Sequence, residues 1–139
     1  MKPSFELFEH TADLGIRSWG KTLEEAFEQG AQGLMAALLD NPDEVIELGV
    51  IEQSIEGDDR EYLYFDWLRW LLYQFESKKT VFRSFQVKWE KSGINVRAHG
   101  EPLDPNRHQL AHEVKAITYH GLTVDSHHGG WQTECIVDI

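Results

Sequence analysis

The carboxylate of Asp138 stands inside an otherwise apolar run, Cys135-Ile136-Val137-Asp138-Ile139. A charge in such a run is costly to bury unless it is paired or holds a cation. Asp13, which follows His10-Thr11-Ala12, and the α-carboxylate of Ile139 are further oxygen donors of the same kind. Together the three groups match the hard ligands that Mg²⁺, Mn²⁺ or Ca²⁺ take up. Spacing by itself does not bring them together, and a second reading, in which Asp138 is solvated or ion-paired, stays open.

The other reactive side chains give no catalytic signature, and no catalytic residue is assigned. There are seven histidines but a single cysteine, Cys135. A zinc site needs three or four converging N and S ligands, and no CxxC is present to supply them. His108 and His112 share a face only if their segment is helical. His127-His128, beside Gly129-Gly130, fits an exposed turn. The apolar neighbours of Cys135 point to a buried thiol. No GxSxG elbow and no phosphate-cradling GxxxxGK occurs. Lys115 is either a phosphate-binding or catalytic amine, if desolvated, or a strand lysine paired with a carboxylate. Glu25 closes the segment Thr22-Leu23-Glu24-Glu25, which has the form of a capping box at a helix start.

Thirteen Lys and Arg against 24 Asp and Glu give a net charge of -11. That balance opposes the phosphate neutralisation on which RNA affinity rests, so direct nucleic-acid binding is not expected. It suits a basic partner protein or a bound cation, while charge taken alone favours a role in solubility. Apolar stretches are too short for a bilayer span, and Met1-Lys2-Pro3-Ser4-Phe5-Glu6 lacks the apolar run of a secretory signal. The expected setting is the cytoplasm, without membrane contact.

These residues must be positioned by one domain over residues 1–139. Alternation predicts strands over 5–10 and 14–19. The capping box starts a helix whose stripe Leu23, Ala26, Phe27, Ala31, Leu34, Met35 and Leu38 runs to about residue 39, before Asn41-Pro42-Asp43. A strand, or a strand pair broken at Gly49, follows over 45–55. Helical spacing returns over 61–77, where Trp67, Trp70, Tyr73 and Phe75 read as core rather than as a base-stacking platform. A hairpin over 81–89 and 93–101, extended stretches over 114–119 and 122–124, a turn at 127–130 and a strand over 131–139 complete the chain. The fold class is α+β: a single compact domain, a mainly antiparallel sheet packed with two principal helices.

Three blocks then resemble a known family, the archeases: His10-Thr11-Ala12-Asp13-Leu14-Gly15-Ile16 with Gly20 and Leu23-Glu24-Glu25-Ala26-Phe27; Trp67 to Tyr73; and Gly100-Glu101, Asp104, Arg107-His108, Val114-Lys115-Ala116-Ile117-Thr118-Tyr119-His120 with Ile136-Val137-Asp138-Ile139. The resemblance spans nearly the whole chain. It implies a divalent-cation site (Ca²⁺, Mg²⁺ or Mn²⁺) built around Asp13 and Asp138. It also implies a non-enzymatic role as protein cofactor of an RNA-splicing ligase, the enzyme that joins 2′,3′-cyclic phosphate or 3′-phosphate ends to 5′-hydroxyl ends. The helper would promote guanylylation and multiple turnover of that ligase. Glu25 and Lys115 are the secondary candidates for partner activation, and no role passes to His127 or His128. The alternatives are a general protein chaperone, which binds exposed apolar segments of many clients, and a metal-dependent hydrolase, which needs a base and an open coordination position.

Overall fold

Two-residue alternation sets the first ladder. In the computed structural model, which describes residues 2–139, β1 (Ser4–His10) turns back through Thr11 and Ala12 into β2 (Asp13–Gly20). The pair is antiparallel, with His10 opposite Asp13, and Thr11 adopts φ 56° to close the reversal. β8 (Gly130–Asp138) lies on the other side of β2, in register from Gly20 with Trp131 to Leu14 with Val137. The short β6 (Ala116–Ile117) and β7 (Thr123–His127) both pair with β8 and complete a five-stranded sheet. β3 (Gly49–Glu56), β4 (Thr80–Glu90) and β5 (Gly93–Pro102) form a second antiparallel sheet in the order β3-β5-β4.

The capping box forms as read. Thr22 Oγ1 accepts from the Glu25 N–H at 3.1 Å and Glu25 Oε1 from the Thr22 N–H at 3.2 Å, opening α1 (Leu23–Leu38). Asp59 caps α2 (Arg60–Lys78), which ends at Lys79 in the left-handed region. α1 packs on β1, β2 and β8 of one sheet and on β4 of the other, while α2 touches β6 and β7 as well as β3, β4 and β5. The core therefore lies between the sheets and the helices, around Phe27, Leu34, Tyr64, Trp67 and Leu68, all fully buried. Each such side chain contributes roughly 1.5–3 kcal/mol by leaving water. Trp67 also donates its indole N–H to the Phe27 carbonyl at 2.9 Å. Gly30 makes the helix contact possible, since a Cβ there would meet the Tyr64 hydroxyl oxygen at 2.0 Å.

The α+β class and the two principal helices are as expected. Differences lie in the connections. Residues 45–48 stay outside any strand, because Pro42–Glu44 makes a 3₁₀ turn and β3 starts only at Gly49. The extended stretch over 114–119 shrinks to β6. Just before it the backbone donors of Ala111 and His112 serve the Leu38 and Ala37 carbonyls at 2.9 Å, the orphan acceptors at the end of α1. His127 ends β7, and the turn itself falls on His128 and Gly129, both with positive φ. Trp67 is core as read, whereas Tyr73 is 51% exposed.

One buried ionic cluster anchors the loop that leads to β6. Glu101 is 4% exposed; its carboxylate accepts from the Ile46 N–H at 2.7 Å, from His108 Nε2 at 3.0 Å and from the Arg107 guanidinium. His108 Nδ1 accepts from the Asp104 N–H at 2.8 Å, which leaves Nε2 as the nitrogen that donates. Burial alone raises the Glu101 pKa, but the Ile46 amide, Arg107 and His108 outweigh it and hold the carboxyl below its ordinary value. A carboxyl with a depressed folded pKa stabilises fully above the unfolded value of about 4.3, and that contribution fades as pH falls through the folded value. Glu101→Gln is therefore expected to cost about 1–3 kcal/mol in urea unfolding at pH 7, with the Arg107 share reduced by solvent screening. The gap from the parent should close on acidification. An unchanged gap down to pH 3 would show that the carboxylate charge contributes nothing.

Candidate functional site

Leu14, Ile16 and Ser18 on β2, and Thr133, Cys135 and Val137 on β8, all point into the core. Strand alternation then sends Asp13, Gly15 and Arg17 to the outer face together with Glu134, Ile136 and Asp138. The Arg17 Nε donation to Glu134 at 2.8 Å across the ladder marks that face. The last pair in the register is Leu14 with Val137, so Asp13 and Asp138 are the next residues outward on adjacent strands. They form a carboxylate pair at one end of the sheet, Asp13 half-buried and Asp138 exposed. The ion pairs among the described residues include neither.

The end of β8 is held from its other side. The Lys115 N–H donates to the Asp138 carbonyl at 2.7 Å, and Thr118 donates its hydroxyl to the Ile136 carbonyl at 2.8 Å. Thr118 Oγ1 in turn accepts from the His120 N–H at 3.1 Å. That turn brings the His120 ring to the His10 ring, with centroids 5.1 Å apart. His10 lies on β1 and His120 follows β6, so the two rings meet across the outer face beside the carboxylate pair. The floor there is Gly15, where a Cβ would collide with the Phe8 ring at 2.1 Å, and Arg17 stacks on that ring at 4.3 Å.

Asp13, Asp138 and Ile139 are thus brought to one end of the sheet. The backbone of Lys115 reaches the same place, while its exposed side chain lines a groove with Arg69, Tyr73 and Glu76 against α2. Glu25 is not brought there: it caps α1 beside Gly20, at the far end of β2 from Asp13. His108 is committed to Glu101, and Cys135 is buried with its thiol pushed up to about 12 by burial, so it is not a thiolate at neutral pH. His10 and His120 were not singled out from sequence as site residues. A two-residue reversal between His10 and Asp13 is a signal for the first, because it sets them opposite one another; His120 carries none.

Among the described residues no three His, Cys, Asp or Glu side chains gather to hold a metal ion. The donor chemistry nonetheless fits a hard cation. Two carboxylates that have no ion-pair partner among the described residues suit an ion that keeps several waters, as Mg²⁺ does.

Comparison with known proteins gives a consistent answer. The Archease protein family model matches residues 5–139. A curated relative, "Protein archease" of Pyrococcus abyssi, is 41% identical over 97% of this chain and 98% of its own length. The solution structure of protein 1598 of Methanobacterium thermoautotrophicum superposes with a TM-score of 0.81 at 28% identity, covering 98% of this chain and 99% of that one. The crystal structure of "an archease, possible chaperone" from Thermotoga maritima shares the fold, at 20% identity and a TM-score of 0.62 over 100% of this chain and 98% of that one.

Like charges facing each other across a ladder oppose folding, whereas a cation bound only by the folded state favours it. Asp138→Asn is therefore expected to melt no lower than the parent in EDTA. Excess Mn²⁺ or Ca²⁺ should raise the melting temperature of the parent and leave that of the variant nearly unmoved. Differential scanning fluorimetry reads both, and an equal cation shift in the two proteins would remove Asp138 from the site.

Proposed function

The chain belongs to the archease family, and from that premise we propose that it is a protein cofactor of an RNA-splicing ligase rather than a ligase itself. The observation that carries this reading is the carboxylate pair Asp13 and Asp138, free of ion pairs among the described residues, at the end of a well-anchored ladder. A divalent cation there would neutralise phosphate charge and orient a triphosphate during transfer of a guanylate to the ligase. Asp13 and Asp138 would supply oxygen ligands to it, with the α-carboxylate of Ile139 as a further one. The Lys115 amide and the Thr118 hydroxyl fix the strand that bears Asp138. An acidic surface of net charge -11 suits a basic partner face more than RNA. Lys115, whose exposed side chain lines the groove against α2, and Glu25, which caps α1, are the secondary candidates for contact with the partner.

The test is single-turnover guanylylation of the cognate ligase with substoichiometric amounts of this protein. The parent protein should accelerate the step and should take up no nucleotide itself. Asp13→Ala and Asp138→Ala should each reduce stimulation about tenfold or more. The double variant should be little worse than the poorer single one, because residues acting through one ion are not additive. Covalent labelling of this chain, hydrolysis by the chain alone, or full stimulation by both variants would overturn the reading. Equal protection of unrelated unfolded clients would favour a general chaperone.

A further inference from the structure

β3 is an outer strand of its sheet, since the order β3-β5-β4 gives it a strand partner on one side alone. Its register runs unbroken from Gly49 with Gly100 to Glu56 with Gly93, and the Gly57 N–H donates to the Ser92 carbonyl at 2.9 Å as the next bonded pair. Bonded pairs alternate in an antiparallel ladder. Gly49, Ile51, Gln53 and Ile55 therefore bond to β5, while the backbone groups of Val50, Glu52, Ser54 and Glu56 point away from it. Among the hydrogen bonds of the described residues one reaches that open row, the Gln53 amide donating to the Ser54 carbonyl at 3.0 Å. The opposite edge of the sheet is covered: on β4 the Val87 N–H is taken by Glu28 and the Arg83 carbonyl by Gln32, both from α1.

The open row borders a groove of about 520 Å³ between β3 and α2, lined by Gln53, Ile55, Asp66, Arg69, Trp70 and Tyr73. Trp70 is held by stacking on Trp67 and Phe82, at 5.9 and 6.5 Å between centroids, and Tyr73 is exposed beside it. Trp, Tyr and Arg are the side chains that most often carry the energy of protein association. Strand alternation puts Glu52 and Glu56 on the other face of β3, where Arg97 of β5 lies 3.9 Å from Glu52.

We propose that this edge takes up an extended segment of a partner protein as an added antiparallel strand, one whose side chains alternate between basic and apolar. In antiparallel addition the partner residues that bond to Val50, Glu52, Ser54 and Glu56 share the face of those side chains. These are the basic ones, set beside Glu52 and Glu56. The residues between them turn apolar side chains into the groove over Ile55 and Trp70. Main-chain bonds supply affinity in this mode, and the alternate side chains supply selectivity. A second copy of the chain is a poorer occupant, because pairing β3 with itself gathers Glu52 and Glu56 of both copies on one face, where like charges repel. Nucleic acid has no strand to add, and a chain of net charge -11 repels it. Nothing in this arrangement depends on a cation at Asp13 and Asp138.

The experiment is an NMR titration of the ¹⁵N-labelled full chain, at low salt, with synthetic octapeptides. A peptide alternating lysine and valine should shift the amides of Val50, Glu52, Ser54 and Glu56 and the indole N–H of Trp70. A peptide alternating glutamate and valine should bind about tenfold more weakly. Backbone N-methylation of the lysines should weaken binding by about tenfold or more, while N-methylation of the valines, whose N–H groups face away from β3, should leave it within about threefold. Ser54→Pro, at a position where an edge strand tolerates proline, should weaken binding as lysine methylation does. Should that variant fail to fold by circular dichroism, the two methylated peptides on the parent still decide. Absence of shifts on β3 at millimolar lysine-valine peptide, or equal weakening by both methylations, overturns strand addition. Equal affinity for the glutamate and lysine peptides overturns the basic partner. A dimer in sedimentation equilibrium that protects the same β3 amides from hydrogen exchange overturns it in favour of a second copy.

Discussion

The register between β2 and β8 is the constraint on which the site depends. Because side chains alternate, a slip of one residue would send Asp138 into the core and Val137 to the surface. The slip is opposed by more than apolar burial. Ser18 and Thr133 are directly paired across the ladder, both fully buried, with their hydroxyl oxygens 2.5 Å apart. Ser18 donates to the Ala26 carbonyl of α1 at 2.7 Å, so Thr133 must be the donor to Ser18. A slipped register carries Thr133 out of the core, leaves the Ser18 hydroxyl there without it, and breaks the Arg17–Glu134 pair outside. Polar pairs on both faces thus fix one alignment, and that alignment sets Asp138 beside Asp13.

A second constraint brings the remaining residues to the same place. The chain leaves β5 in one sheet and must cross to β6 in the other. Glu101, Asp104, Arg107 and His108 bind the start of that crossing into a compact turn. Asn41 takes the next step, donating to the Arg107 carbonyl at 2.8 Å and accepting from the Gln109 N–H at 2.8 Å. The end of α1 then takes the amides of Ala111 and His112. By the time the chain reaches Lys115 its path is settled, and the Lys115 amide can close on the Asp138 carbonyl. The cluster around Glu101 is therefore structural, and its effect on the site is exerted through the backbone.

How much of this was legible in the sequence depends on the range of the interaction. The capping box at Thr22 and Glu25, the core stripe of α1 and the hairpin of β4 and β5 are local, and periodicity or turn chemistry exposes them directly. The cost of a carboxylate between Val137 and Ile139 was equally visible, and it marked Asp138 without showing its neighbour. Non-local features were hidden. Nothing near His120 indicates that its ring meets His10, because that contact depends on Thr118 bonding to β8. Likewise the segment around Val114 looks extended, yet the nearby amides of Ala111 and His112 are used by a helix end far away in sequence. Glu25 is the local case: the capping box read from Thr22 to Glu25 forms, at the far end of β2 from Asp13.

Three less exposed carboxylates elsewhere in the protein contrast with the pair at the sheet end. Glu101 is neutralised by three donors, and Glu134 by Arg17. Glu28, whose pKa is raised by burial, accepts from the Val87 N–H at 2.9 Å and covers the free edge of β4, with Gln32 one turn later donating to the Arg83 carbonyl. Each of these groups has an internal compensation that explains its position. Among the described residues Asp13 and Asp138 have no ion-pair partner, and the field of a chain with net charge -11 adds to their mutual repulsion. Like charges facing each other across a ladder repel, so it is the anchoring of β8 by the Lys115 amide and the Thr118 hydroxyl that keeps Asp138 beside Asp13.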